Sequence, residues 1–169
     1  FYFFISLLFA EETRQVDKHE HGVGELNIAI QSNTMVLEFM IPGADIVSFE
    51  YEAKSEQDKA TVNAALTKFE DYNNIFIIPT NSKCLLVSSK ININQEDDHD
   101  EHQEEAHNEF YAKYTFECGD IKSLDLLEFP YFETFSNSGE LEVQFVSEIG
   151  STSFEVETDS PIINIEGKI

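Results

Sequence analysis

Basic residues are scarce in this chain. Its 169 residues carry 10 Lys+Arg against 33 Asp+Glu, a net charge of −23. That balance excludes most nucleic-acid binding, because a phosphate backbone is held by Lys and Arg and would be repelled here. It disfavours anionic membrane surfaces for the same reason. What such a surface attracts is cations, whether metal ions or basic partners. Tryptophan is absent, and the seven glycines are scattered, so no glycine-rich phosphate loop can be drawn. G-x-S-x-G, C-x-x-C and H-E-x-x-H are missing, and His99-Asp100-Glu101-His102 is one residue too short for the last of these. The acidic stretch at 96–109 contains no glycine, which excludes an EF-hand loop. These absences point away from an enzyme.

Long apolar runs are also few. The only one is residues 1–10, FYFFISLLFA, uncharged and too short to span a bilayer as a helix. It has the length of a signal-peptide h-region and ends on the small Ala10 before an acidic stretch. The expectation is a signal-peptide remnant at 1–10, a flexible segment at 11–22 and one domain over 23–169, exported and without a membrane span in its mature form. The plainer alternative for 1–10 is a buried strand. The chain has two cysteines. In an exported protein such a pair is more often a disulfide than a redox or metal site, so Cys84 and Cys118 are expected to pair and to hold together the ends of the loop between them. Two buried free thiols are the other reading.

Hydrophobic periodicity sets the fold class. Leu26, Ile28 and Ile30, then Met35, Leu37, Phe39 and Ile41, alternate with polar or small neighbours around Ser32-Asn33, which is a hairpin ended by Pro42-Gly43. Val62, Ala65, Leu66 and Phe69 fall at helical spacing behind a Ser55 cap. Ile75–Ile78 reads as a short strand. Leu85, Val87, Ser89, Ile91 and Ile93 share one face of another, and Phe110, Ala112, Tyr114, Phe116 and Cys118 one face of a third. A strand near Leu124–Leu127, a helical turn near Tyr131–Phe135 and strands around Leu141–Phe145, Phe154–Thr158 and Ile162–Ile165 follow. The sum is α+β, predominantly antiparallel sheet with one clear helix. The similar order of elements on the two sides of the acidic loop suggests a two-fold internal pseudo-repeat.

The chemistry concentrates in the loop 94–109. Residues 96–109 read EDDHDEHQEEAHNE, eight acids and three histidines: His99, His102 and His107. Such a run cannot offset its ordering cost by burying apolar surface. Imidazole is the common ligand of Zn²⁺, Cu²⁺ and Ni²⁺, and carboxylates complete the sphere and neutralise the ion. On a helix the three histidines would span an arc of about 140°. Carboxylates alone would favour Ca²⁺ or Mg²⁺, and the interleaved histidines tilt the choice to zinc. His19-Glu20-His21 is a second cluster, and the two clusters hold all five histidines of the chain. A solvated acidic loop with incidental histidines is the blander reading.

His19-Glu20-His21-Gly22, opening into GVGELNIAIQSNTMVLEFMIPGADIVSFE, resembles the ZrgA-like periplasmic zinc-binding proteins of Gram-negative bacteria, long catalogued as a domain of unknown function. The likeness runs on through Cys84, the His/acid loop, HNEFYAKYTFEC ending at Cys118, and FPYFETFSNSGELEVQFVS, most of residues 19–165. The resemblance implies a periplasmic, non-enzymatic protein that binds Zn²⁺ and serves zinc acquisition or buffering alongside envelope import machinery. Its implied ligands are His19, His21, His99, His102 and His107, with Asp98, Asp100 and Glu101 beside them. Family loops are usually richer in histidine than in acid, and relatives often place further histidines where this chain has Tyr111 and Lys113. The competing class is an envelope interaction domain whose acidic loop binds a basic partner or calcium.

Overall fold

The computed structural model describes residues 22–95 and 108–169. The expectations for residues 1–21, and for everything between 96 and 107, lie outside the described residues. The domain expected from residue 23 onward begins with the hairpin read from the sequence, β1 (Val23–Gln31) and β2 (Thr34–Pro42). Leu26, Ile28, Ile30, Met35, Leu37, Phe39 and Ile41 all point inward and are buried. A short helix α1 (Gly43–Val47) leads to the main helix α2 (Glu56–Glu70). Ser55 caps α2 by accepting a hydrogen bond from the Asp58 N–H at 3.0 Å, and Glu56 and Asp58 complement the helix dipole. Val62, Ala65 and Phe69 are its buried face.

β3 (Cys84–Gln95) and β4 (Asn108–Cys118) form a long antiparallel hairpin. After β5 (Leu126–Glu128) and α3 (Tyr131–Thr134) come β6 (Glu140–Ser147), β7 (Gly150–Glu157) and β8 (Ile162–Asn164). Six strands make one sheet in the order β3-β4-β2-β1-β6-β7, while β5 and β8 make a second of two strands. Every ladder is antiparallel except β1/β6, which is parallel. This is the expected α+β fold rich in antiparallel sheet. A parallel pair needs a long crossover, and the whole of residues 32–139 supplies it.

One face of the large sheet meets α2 and the segments after it through an aromatic core. Phe39 stacks on Phe76, Phe69 stacks on Phe110 and Phe135, and Tyr72 meets Phe116 edge-on. Burying one such ring contributes about 1.5–3 kcal/mol. The Tyr114 hydroxyl donates to the Phe69 carbonyl at 2.6 Å, which ties β4 to the C-terminal turn of α2. On the opposite face Glu25, Asn27, Gln31, Glu142 and Gln144 are exposed, while Val36, Glu38, Met40, Tyr111 and Lys113 are half-buried.

Three local expectations change. Ile75–Ile78 is not a strand; only Ile77 bridges, to Glu128, while Ile75 and Phe76 turn into the core. In β3 the register shifts between Leu86 and Ser88, so Val87 is an extra residue that reverses the facing of the strand. Ile91 and Ile93 therefore pack on the core, whereas Leu85 and Val87 are 74% and 61% exposed. Finally, the strands extend into the expected loop. Asn94 pairs with Glu109 and Gln95 with Asn108, so only 96–107 lies between them.

Candidate metal centre

Cys84 and Cys118 form the expected disulfide. They are also cross-strand partners in the β3/β4 ladder. Their position corrects the expectation that the bond gathers the ends of the acidic loop. Cys84 and Gln95 are opposite ends of the 12-residue β3. At ~3.3 Å per residue the disulfide lies about 35 Å from the point where 96–107 departs. The bond staples the root of the hairpin, beside the β1/β2 turn, where the Cys118 N–H donates to the Asn33 carbonyl at 2.8 Å.

His19, His21, His99, His102, His107, Asp98, Asp100 and Glu101 all lie outside the described residues. What the fold fixes is the position of the described residues that flank them. Glu25 faces Met40 and Met40 faces Tyr111, so β2 alone separates β1 from β4. Two interstrand spacings are about 10 Å. Gly22 lies three residues outward of Glu25, and Asn108 three residues outward of Tyr111, on the same end of the sheet. The two histidine-bearing stretches are thus attached to one edge of the domain, although the sequence separates them by most of a hundred residues.

Residues 43–51 fasten both attachments. The Gly22 N–H donates to Asp45 Oδ1 at 2.8 Å, and the Gly22 carbonyl accepts from the Gly139 and Glu140 N–H groups at 2.9 Å each. The Asn108 N–H donates to the Glu50 carbonyl at 2.8 Å, and Asn108 Nδ2 donates to the Tyr51 carbonyl. Gly43 permits this close approach, since a Cβ there would come within 2.9 Å of the Asn108 carbonyl oxygen and 2.8 Å of that of Phe49. Asp45 and Asn108 are 2% and 3% exposed, two of the four polar residues buried among the described ones. A cleft of about 460 Å³ opens beside Asn108, lined by Glu52, Ala53, Lys59, Val62, Asn63 and Ile93.

The electrostatics of this end favour cations. Glu25 is the register partner of Glu142, and Glu142 of Glu155, one row across three strands. Glu140 and Glu157 pair in a neighbouring row. Like charges set directly opposite are destabilising in a sheet. The ion pairs Lys54–Glu52, Lys59–Glu56 and Lys113–Glu38 involve none of Glu25, Glu142, Glu155 and Glu157. Tyr111 and Lys113 are both engaged with Glu38. The Tyr111 hydroxyl donates to Glu38 Oε1, and Lys113 Nζ lies 3.9 Å from Glu38 Oε2. Burial, reinforced by that carboxylate, pushes the Tyr111 hydroxyl up to about 12. Among the described residues no group of three or more His, Cys, Asp or Glu is arranged to hold a metal ion. No helix among them is long and apolar enough to cross a membrane.

Sequence reasoning missed Asp45 and Asn108. Asn108 sat inside the acidic run and read as loop. The one signal for Asp45 was an acid set in the otherwise apolar Gly43-Ala44-Asp45-Ile46-Val47.

Together these features define a disulfide-stapled, strongly acidic α+β domain, with two histidine-bearing stretches attached at one end of its sheet. The chain belongs to the ZrgA family of zinc uptake proteins, whose model matches residues 18–165 and so takes in both histidine clusters. No curated protein matches the chain.

Proposed function

We propose that the chain is an exported, periplasmic zinc-binding protein that captures Zn²⁺ and passes it to, or buffers it for, envelope import machinery, without catalysing a reaction. The observation that carries this reading is the match to a zinc uptake family across both histidine clusters. Two further features support it. The Cys84–Cys118 disulfide suits an oxidising compartment outside the cytosol. The row Glu25–Glu142–Glu155 adds negative potential on the domain that bears both attachments and raises the local cation concentration. His19, His21, His99, His102 and His107 supply the nitrogen ligands, and Asp98, Asp100 and Glu101 supply oxygen ligands and charge. The zinc ion is cargo.

The test is isothermal titration of the full chain with Zn²⁺ and Ca²⁺, beside a variant with all five histidines changed to Gln. Zinc binding lost in the variant, with calcium binding weak in both, supports the reading. Zinc affinity untouched by the five substitutions overturns it and returns the acidic loop to a basic partner or calcium.

A further inference from the structure

Zinc capture makes no use of the cleft beside Asn108. Its volume of about 460 Å³ falls in the range of about 300–1,000 Å³ that small-molecule sites occupy. Three elements wall it: Glu52 and Ala53 from the segment before α2, Lys59, Val62 and Asn63 from α2 itself, and Ile93 and Asn108 from the β3/β4 hairpin. Val62 belongs to the hydrophobic core and Ala53 and Ile93 pack against it, so part of the wall is apolar. Asn108 Nδ2 donates to the Tyr51 carbonyl, whereas the buried Oδ1 has no hydrogen-bond partner. A buried acceptor left unpaired is costly, and this one belongs to a residue that lines the cleft, where a ligand N–H can satisfy it. Among the described lining residues one carboxylate, Glu52, stands against one ammonium, Lys59, which does not suit a strongly charged ligand such as a phosphate ester. Neither His nor Cys is among them to draw a transition metal, and no aromatic ring offers a sugar a stacking surface. A purely apolar ligand would leave the Asn108 oxygen unpaired. What fits is a group with an N–H donor, a carbonyl or carboxylate oxygen and an aliphatic branch. We propose that the cleft binds one aliphatic amino-acid unit, as a free amino acid or within an extended peptide. Its N–H donates to Asn108 Oδ1, its oxygen accepts from Asn63 Nδ2, and its side chain lies on Ala53, Val62 and Ile93. A free ammonium terminus is balanced by Glu52 and a free carboxylate by Lys59. The proposal goes beyond zinc capture and does not rest on it.

The experiment is a nuclear magnetic resonance titration of the full chain with L-leucine and with N-acetyl-L-leucine amide. The buffer is metal-free, because a free amino acid chelates zinc. The expected result is a saturable shift of the Asn108 side-chain amide and of the Val62 and Ile93 methyls. Asn63 is exposed on α2, so its substitution leaves the core untouched. Asn63→Ala should weaken binding about fivefold through the lost donor, and Asn63→Trp should fill the cleft and abolish binding. Asn63→Ala decides the matter if the tryptophan variant fails to fold. Leucine binding alone, weakened about tenfold by Glu52→Gln, identifies a free amino acid as the ligand. Equal binding of the blocked amide, untouched by Glu52→Gln, identifies a peptide segment. The absence of a saturable shift with either probe up to about 50 mM overturns the proposal. Shifts unchanged in both Asn63 variants overturn it too, as does a crystal grown with leucine that shows only an ordered water on Asn108 Oδ1. Zinc titration of Asn63→Ala, expected to match the unaltered chain, keeps this outcome separate from zinc capture.

Discussion

Reducing or removing the disulfide should weaken the fold and leave zinc capture alone. The bond closes a loop with a sequence separation of 34 residues. Loop-closure entropy for that length corresponds to about 3.5–4 kcal/mol. For a domain of this size that is roughly 10–15 °C in melting temperature. The fold should survive the loss, because β4 is also paired to β2 along its length and Phe110, Tyr114 and Phe116 stay in the core. Zinc affinity should change by less than twofold, because the bond sits at the opposite end of the hairpin, about 35 Å from the departure of 96–107. The assay is urea unfolding followed by circular dichroism for the oxidised protein and for Cys84→Ala with Cys118→Ala, with zinc titrations on both in their folded range. A stability loss below about 1 kcal/mol would refute the entropic estimate. A large loss of zinc affinity in a chain that is still folded would refute the geometric argument.

Replacing 96–107 by a two-residue Asn-Gly turn should preserve the far-ultraviolet spectrum and abolish most zinc binding, provided Asn108 and Glu109 are kept, since both are strand residues; retained binding would place the ligands elsewhere. Zinc binding by the intact chain should fall steeply between about pH 7 and 5.5, because imidazole titrates near 6.5 and the surrounding carboxylates favour its protonated form; a calorimetric series over pH 5–8 checks it. At alkaline pH the sign follows from the tyrosines. Burial raises Tyr114 and Tyr131, and burial together with Glu38 raises Tyr111 to about 12. The folded state therefore keeps protons that the unfolded chain releases from about pH 10, so stability is full below pH 10 and is lost as pH rises toward 12, which a series of urea midpoints would read. Tyr114→Phe leaves the Phe69 carbonyl without its 2.6 Å donor and should cost about 1–1.5 kcal/mol, measured as a shift in urea midpoint at pH 7.

The elements with a clean period were legible in the sequence. Leu26, Ile28 and Ile30 alternate without interruption, and β1/β2 form where expected. β3 was half legible, because one extra residue at Val87 exchanges inward and outward positions and no residue type announces it. Ile75–Ile78 misled because an apolar run serves a buried turn as well as a strand; the Ile75 carbonyl accepts the Tyr131 N–H at 3.2 Å instead of joining a ladder. The parallel partnership of β1 with β6 is a long-range pairing with no local trace. The candidate ligands were legible only as composition. Asp45 and Asn108, which hold the backbone at Gly22 and at Glu50 and Tyr51, were hidden because a buried polar residue that holds backbone looks in sequence like any loop residue.

The bulge in β3 bears on how this protein behaves in concentrated solution. β3 is an edge strand, with Leu85, Leu86 and Val87 exposed at its root. From residue 72 to residue 95 the sequence has no Asp or Glu and carries Lys83 and Lys90. Among the described residues no strand pairs with the outer side of β3, and such an edge is a template for association. The bulge and Lys90 blunt it locally, and the net charge of −23 keeps molecules apart at longer range. That repulsion is screened beyond about 8 Å at physiological ionic strength, and it vanishes near the isoelectric point of about 4.3. Colloidal stability is therefore conditional on the carboxylates that line the rest of the molecule. Mild acid combined with high salt should make the β3 edge the first place where two molecules meet.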